Sequence, residues 1–233
     1  MVEWIPFFIG WPLLSFLVSL LLPEHEEKIH ARWARWAVGT QAAALVVFCI
    51  LWLMGEEPYL NLLEWTLYQN ADYAFYVDFY FDRVTAVFAL LGAGLALLVV
   101  SFSRIYMHRE PGYKRFFSTV LFFFLAYNTT IFAGNLETLF VGWEGLGISS
   151  FLLIAFYRER FLPVKNAIKV FSIYRIGDVG LLLAMWMSHH FWHENISFVK
   201  LLEQDLIHEH LHGHTALGVA LSVSLLLAAM AKS

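Results

Sequence analysis

Seven apolar runs recur along the chain, separated by short polar connections. Most are long enough to cross roughly 30 Å of hydrocarbon as a helix, which takes about 20 residues. Strands of a membrane barrel would instead give short segments of alternating hydrophobicity. The pattern therefore predicts an all-α, polytopic membrane helix bundle, a single domain over residues 1–233 with about seven transmembrane helices. The runs cover residues 5–22, 36–54, 84–103, 116–134, 138–157, 166–187 and 215–231.

Lysine and arginine are distributed unevenly among the predicted connections. Cytoplasmic loops retain these residues, so the loops that hold them set the orientation. The second, fourth and sixth connections hold only Arg83 and Lys200, far fewer than the other three. The N-terminus is therefore predicted to lie outside. The first, third and fifth connections, predicted to be cytoplasmic, hold ten cations: Lys28, Arg32, Arg35, Arg104, Arg109, Lys114, Arg115, Arg158, Arg160 and Lys165.

The composition agrees with a membrane protein and excludes other classes. Hydrophobic residues make up 60% of the chain and charged residues 15%, against roughly a quarter charged in soluble domains. A formal net charge of -4 argues against a nucleic-acid partner, which needs clustered cations to displace counterions from phosphate. The single cysteine, Cys49, lies in an apolar run, so neither an intrachain disulfide nor a metal-thiolate framework is expected.

Two of the outer connections are long enough to hold structure of their own. Residues 55–82 are acidic and aromatic, which suits a folded hairpin at the membrane interface, but a simple capping loop is the favoured interpretation. Residues 189–214 contain apolar positions that suggest one or two turns of interfacial helix near residue 198.

Histidines and hydroxyl groups provide few candidates for chemistry. The outer tract with His208, His210, His212 and His214 is a weak metal candidate. Its spacing specifies no closed tetrahedral site, and a solvated loop is the favoured interpretation. Ser149 and Ser150 have no obvious base and orienting acid nearby. We expect a conduit with no active site, metal or cofactor of its own.

Charged residues inside the runs need an explanation, because an Asp, Lys or Arg at the bilayer centre costs about 2.5 to 3.5 kcal/mol or more. Counting along the helices puts Glu144 roughly 10 Å below the outer edge of the hydrocarbon. Arg175 and Asp178 lie roughly 14 and 18 Å above the inner edge. Glu144 and Asp178 are thus expected at similar depth, and Arg175 and Asp178, at i and i+3, can pair.

Two interpretations of these charges remain open. In the structural one, Arg175 and Asp178 neutralise each other and Glu144 is simply protonated. In the other, Glu144 carries protons and the Arg175–Asp178 pair biases it, because desolvation and a nearby cation shift acid pKa values in opposite directions. Acids at matching depth on two helices favour the second. Glycines at 142, 145 and 147 would let another helix or water approach Glu144.

Three segments carry a family resemblance. They are "FVGWEGLGISSFLLIAFY", "YRIGDVGLLLAMW" and "AAMAKS", with "EPGYKRFFSTVLFFFLAYNTTIFAGNLETLF" in the same register. They resemble the antiporter-like family that includes subunit L of NADH-quinone oxidoreductase (complex I), its mitochondrial chain 5 counterpart and the large subunit of Mrp antiporters. The match is clear from about Arg104 onward and weaker before it.

The resemblance implies roles for four residues. Glu144 and Lys232 match the family's glutamate and lysine that are central to proton translocation, and Arg175 and Asp178 match its RxGD pair. Counting puts Lys232 near the inner edge of the membrane, whereas the family places its lysine at mid-membrane. The family pattern also continues past this lysine through a second bundle, so we expect the chain to be the N-terminal half of a longer subunit.

The resemblance also implies partners, an ion and a location. The expected function is proton translocation within an NADH-quinone oxidoreductase of the bacterial plasma membrane, with other membrane subunits as partners and redox chemistry elsewhere. The tyrosine before RIGD and the "GISSF" segment are more typical of Mrp-like relatives. A sodium/proton antiporter subunit, an inorganic-carbon uptake subunit and a structural scaffold therefore remain alternatives.

Overall fold

A computed structural model describes residues 2–55, 58–69, 74–192, 197–201 and 215–232. After a short 3-10 turn at Val2–Trp4, helices form most of this part of the chain, with one two-stranded sheet between the second and third. The elements are α1 (Ile5–Leu21), α2 (Glu27–Leu53), β1 (Leu60–Gln69), β2 (Ala74–Phe81), α3 (Arg83–Tyr106), α4 (Tyr113–Ile131), α5 (Leu136–Ile154), α6 (Phe161–Trp192), α7 (Phe198–Leu201) and α8 (Thr215–Lys232).

A helix occupies each of the seven predicted apolar runs, and the chain is a multi-pass helical membrane protein. Six of these helices are long and apolar enough to cross a membrane: α1, α2, α3, α5, α6 and α8. The exception, α4, is 19 residues long but carries Lys114, Arg115 and Asn128. The count of seven and the external N-terminus therefore stay predictions.

The helices extend beyond several of the predicted boundaries. α2 begins at Glu27, nine residues before its apolar run, and α6 covers 32 residues. The reason is that a helix continues through polar residues wherever tertiary contacts support it. In α2, the buried His30 ring lies 2.9 Å from the carbonyl oxygen of Pro23. Hydrophobicity therefore predicts only the part of a helix that lies in hydrocarbon. The full length of the helix also depends on contacts made outside the hydrocarbon.

The connection between α2 and α3 contains a hairpin, so the favoured interpretation as a simple capping loop is wrong. β1 and β2 pair antiparallel, from Leu60 opposite Phe81 to Gln69 opposite Ala74, with two register irregularities. The second strand is joined to the bundle, because the Tyr80 amide donates to the carbonyl of Phe132 at 2.8 Å. The described part of the outer connection after α6 likewise contains a helix, the four-residue α7.

Successive connections between the helices lie at opposite ends of the bundle. At one end, which we call the hairpin end, the sheet meets the α4–α5 connection, and the Phe198 amide donates to the carbonyl of Gly134 at 2.7 Å. At the other, the basic end, Lys114 donates to the carbonyls of Leu20 and Leu22 at the end of α1, and Arg115 donates to the carbonyl of Phe156 after α5. The connections predicted to be cytoplasmic thus share one end, and α4 runs from that end to the other.

α4 lies at the centre of the first part of the bundle, in contact with α1, α2, α3 and α5. Four buried rings join α1, α2, the sheet and the end of α4, with centroids 5.0 to 5.8 Å apart: Phe8, Phe48, Phe81 and Phe132. Polar groups of α4 face protein, since the Gln41 amide donates to Asn128 at 2.9 Å within the interior. A central helix can therefore carry polar side chains, because they find partners inside the protein. α5 connects this part to α6 and α8.

Candidate functional site

α5 positions Glu144, and its start is defined by a side-chain cap. The Asn135 side chain accepts from the Thr138 amide at 2.8 Å and donates to the carbonyl of Tyr76 at 3.0 Å. The first contact satisfies a free amide of the first turn, and the second attaches the helix to the hairpin. The depth of Glu144 is therefore tied to the hairpin end.

Glycines bring α5 against its neighbour α4. A Cβ added at Gly142 would lie 2.6 Å from the backbone nitrogen of Thr130, and one added at Gly145 would lie 2.8 Å from the Cβ of Ala126. Both distances are shorter than real contacts, so only glycine permits this approach. Gly147 faces the other way, with the Arg175 and Lys232 nitrogens each 3.6 Å from its added Cβ.

The guanidinium of Arg175 contacts both Glu144 and Asp178. Nη2 of Arg175 donates to Oε2 of Glu144 at 2.6 Å, across the α5–α6 interface. Nε of the same side chain lies 2.9 Å from Oδ2 of Asp178, one turn along α6. The side chain of Arg175 also lies over the ring of Phe171, at 4.6 Å from its centroid. Glu144 and Asp178 are thus linked through a single shared cation.

Asp178 has a second partner in Trp143. The indole nitrogen of Trp143 donates to Oδ1 of Asp178 at 2.9 Å. The two oxygens of Asp178 therefore face different partners, the indole and the guanidinium, and its side chain is only 5% exposed. Removal of such a partner from a buried carboxylate typically costs about 3 to 5 kcal/mol.

Lys232 enters the same cluster from α8. Its ammonium donates to the carbonyl oxygen of Trp143, the residue before Glu144. It also lies 4.2 Å from the centroid of the Trp143 ring and 5.6 Å from that of Tyr174, within the range of cation–π attraction. Lys232 is therefore level with Glu144, and the depth obtained by counting residues was wrong. The span count failed because it ignored how far α8 is shifted along α6.

Small residues hold α8 at that level against α6. An added Cβ at Gly177 would lie 2.6 Å from the Cβ of Ala231, and one at Gly180 would lie 2.7 Å from the carbonyl oxygen of Ser224. Such contacts fix the two helices in one relative position, since a shift along the axis would bring larger side chains into the interface.

The cluster is formally neutral and partly accessible. It holds two carboxylates and two cations, and its most buried member is Asp178. The side chains of Glu144 and Arg175 are 21% and 41% exposed in the described structure. Among the described residues, Glu144 accepts one hydrogen bond, from Arg175, and keeps some open surface through which a proton donor or acceptor can approach.

The structure brings together all four residues singled out in the sequence: Glu144, Arg175, Asp178 and Lys232. Their part in proton translocation stays a prediction. The Arg175–Asp178 pair is confirmed as a contact. The structure adds a contact between Arg175 and Glu144, so the pair touches the acid that it was expected to bias.

Sequence reasoning missed two residues near this cluster. Trp143 was treated as part of a motif, although an indole next to a buried acid is a candidate donor. Glu137 was counted as lying just outside its span, but it is buried in the first turn of α5 and has one oxygen without a hydrogen-bond partner among the described residues. It lies two turns before Glu144, on the same face of the helix.

The histidine tract cannot be assessed in the same way. His208, His210, His212 and His214 lie outside the described residues. Within the described ranges, no group of three or more His, Cys, Asp or Glu side chains is arranged to hold a metal ion. The weak metal proposal for the tract therefore remains a prediction.

Two family models match the chain. Residues 65–117 match the model described as NADH-ubiquinone oxidoreductase (complex I), chain 5 N-terminus. Residues 133–233 match the one described as NADH:quinone oxidoreductase/Mrp antiporter, transmembrane. The second match contains all four residues of the cluster.

Curated relatives agree with the models. The chloroplast NAD(P)H-quinone oxidoreductase subunit 5 of Piper cenocladum is 31% identical over 99% of the chain and 32% of its own length. NADH-quinone oxidoreductase subunit L of Neisseria meningitidis is 34% identical over 64% of the chain and 22% of its own length. The chain spans roughly a fifth to a third of the curated relatives it matches.

A solved structure shares the fold. It is a chain of the membrane-bound sulfane sulfur reductase, an archaeal respiratory membrane complex. The two chains superpose with a TM-score of 0.77, over 96% of this chain and 43% of the reductase chain. The sequence identity is 16%, so this likeness supports the fold alone.

Proposed function

The chain belongs to the antiporter-like family of complex I and Mrp membrane subunits, and we propose that it conducts protons through the cluster of Glu144, Arg175, Asp178 and Lys232. The observation that carries the proposal is the single Arg175 guanidinium shared by Glu144 and Asp178. Because one cation has two acidic partners, loss of either contact changes the charge balance felt by the other acid.

Charge balance supplies the physical reason for proton movement. A movement of Arg175 from Glu144 toward Asp178 would transfer positive charge from one acid to the other, and a nearby cation favours the charged form of a carboxylic acid. Lys232 adds a second cation next to Glu144, held by the carbonyl of Trp143 and by two aromatic rings. In a low-dielectric site, small displacements of these charges produce large changes in proton affinity.

The test is proton transport by the parent assembly in sealed vesicles, measured by quenching of a pH-sensitive dye. We expect Glu144→Gln to abolish the contribution of this subunit while the assembly remains intact. Glu159→Gln is the matched control, because Glu159 is an exposed acid at the basic end. Unchanged transport in the Glu144→Gln assembly, or equal loss in both variants, would contradict the proposal.

The proposed parent is an NADH-quinone oxidoreductase, with H+ as the transported ion and the redox cofactors in other subunits. An Mrp-type antiporter is the second candidate, because the model matching residues 133–233 describes both groups. NADH-dependent quinone reduction by the purified assembly would support the first. Sodium-dependent proton exchange without NADH would support the second. Bicarbonate accumulation with a zinc-bearing partner would instead favour an inorganic-carbon uptake complex.

The bacterial plasma membrane is the proposed location, by likeness to the bacterial subunit L. Fractionation of the native cell, with immunodetection of the chain in the plasma-membrane fraction, is the measurement. Recovery from an organelle membrane would exclude it.

A further inference from the structure

A groove opens between α1 and α5 on the surface of α4. Both helices pack on α4, and the space between them forms a cavity of about 730 Å³ that reaches the basic end. This volume lies within the range of about 300 to 1,000 Å³ that is usual for ligand-binding clefts. Of the three helices that form the groove, only α5 also contributes to the four-residue cluster. The groove is therefore a separate feature from that cluster.

Three cations line the basic end of the groove: Lys114, Arg115 and Arg158. Lys114 donates to the carbonyls of Leu20 and Leu22, and Arg115 donates to a carbonyl at 2.8 Å. These neutral acceptors hold the side chains in place without cancelling their charge.

The three cations of the groove form no ion pair within the described part of the chain. Arg115 and Arg158 are near enough to repel each other. Glu24 is the one carboxylate among the described lining residues. The first turn of α4 adds to this field, because Gly112 provides no side-chain cap and the helix N-terminus carries a partial positive charge.

Apolar side chains also line the groove, both beside the cations and farther along the helices. Phe16 and Phe122 lie in contact, with ring centroids 5.1 Å apart. Leu20 and Leu152 are 47% and 44% exposed at the groove. The groove therefore combines cations with Leu20 and Leu152 at the basic end, where α1 and α5 end, and the Phe16–Phe122 contact lies farther along the helices. The α4 wall between them also carries Ser118 and Thr119.

We propose that this groove binds an anionic glycerophospholipid, with its phosphate at Lys114, Arg115 and Arg158 and one acyl chain between Phe16, Leu20, Phe122 and Leu152. A soluble anion would use the cations and leave the apolar walls exposed. A zwitterionic lipid would fill the walls and add a positive group beside three cations. An anionic lipid satisfies both parts of the groove.

The test is photo-crosslinking in the membrane-embedded parent assembly, with labelled peptides mapped by mass spectrometry. The probes are phosphatidylglycerol and phosphatidylcholine, each with the same photoreactive acyl chain. We expect phosphatidylglycerol to label the α1, α4 and α5 walls in preference to phosphatidylcholine. Arg158→Gln should reduce that labelling about fivefold, the factor that corresponds to about 1 kcal/mol per cation at a membrane surface.

Arg160→Gln is the matched control for charge. Arg160 is exposed in the same connection, lies over the Tyr157 ring and does not line the groove. Its loss should leave labelling unchanged. A second variant, Leu152→Trp, should reduce labelling by filling the apolar wall without altering charge.

Three results would overturn the proposal. They are equal labelling by the two lipids, equal effects of Arg158→Gln and Arg160→Gln, and suppression of labelling by millimolar inorganic phosphate, which would indicate a site for free anions. Recovery of each variant assembly is measured by size-exclusion chromatography, so that loss of folding is detected separately. None of these results depends on proton transport.

Discussion

Arg175 and Glu144 are joined across the α5–α6 interface by a hydrogen bond of 2.6 Å. The contact connects two sequence motifs that lie 31 residues apart. Because Arg175 also lies beside Asp178, neither acid can be altered without changing the surroundings of the other. This coupling leads to the first two predictions.

Replacement of Arg175 by lysine should impair proton transport although the positive charge is kept. A planar guanidinium can direct separate N–H groups at two carboxylates, whereas an ammonium is a compact charge that favours one of them. We expect at least about a tenfold fall in transport, equivalent to about 1.4 kcal/mol. Arg160→Lys should leave transport unchanged. If Arg175→Lys is also fully active, the shared geometry is not required.

Replacement of Trp143 by phenylalanine should distinguish the hydrogen bond that its indole donates to Asp178 from the contact of its ring with Lys232. Trp143→Phe keeps a ring beside Lys232 but removes the donor to Asp178, so we expect partial loss of transport and a shifted pH profile. Trp143→Leu removes both contacts and should be more severe. Trp33→Phe, which removes an indole donor to the Ser15 carbonyl in another part of the bundle, should not shift the profile. Identical profiles for Trp143→Phe and the native assembly would exclude an effect through Asp178.

Three glycine substitutions should have graded effects on stability. Gly142→Ala places a methyl group 2.6 Å from backbone nitrogen of α4, so we expect a loss of about 1 to 3 kcal/mol from overpacking. Gly147→Ala meets only contacts of 3.6 Å or more and should fold. Gly94→Ala meets nothing within 4 Å and should be neutral or slightly stabilising. Thermal unfolding of the detergent-solubilised assembly is the measurement, and a reversed order would contradict the α4–α5 packing.

Loss of two helix caps should have unequal costs. Asp82 accepts from the Thr85 amide at 2.8 Å at the start of α3. Asn135 caps α5 in the same way and also donates to the carbonyl of Tyr76. We expect Asp82→Ala to cost about 1 kcal/mol and Asn135→Ala to cost more, because a second buried hydrogen bond is lost. Equal melting temperatures for the two variants would show that the Tyr76 contact contributes little.

The predicted orientation can be tested by cysteine labelling from either side of the membrane. The native Cys49 is buried, so a Cys49→Ser background is suitable. Leu67 in the hairpin and Glu159 at the basic end are both exposed. A membrane-impermeant maleimide should label Leu67→Cys from outside and Glu159→Cys only after the membrane is opened. The reverse pattern would place the N-terminus in the cytoplasm.

Several features of the fold follow from local sequence. Long apolar runs predicted the helices, because that signal depends only on neighbours along the chain. The hairpin was weighed but a capping loop was favoured, because the pairing of two strands depends on contacts between residues that are far apart in the sequence. Span ends were less well predicted. The start of α2 at Glu27 depends on contacts of charged and polar residues outside hydrocarbon, and these have no periodic signature.

Three conclusions could be reached before the fold was known: the chain crosses a membrane, charged groups lie within its helices, and Arg175 and Asp178 share a helix face. These conclusions need only hydrophobicity and the helical repeat. The tertiary structure alone decided that Arg175 also binds Glu144, that Trp143 binds Asp178, and that Lys232 is level with both. The physical reason is that the relative shift of two packed helices depends on contacts between distant residues. Here Gly142 and Gly145 fit against α4, and Gly177 and Gly180 fit against α8.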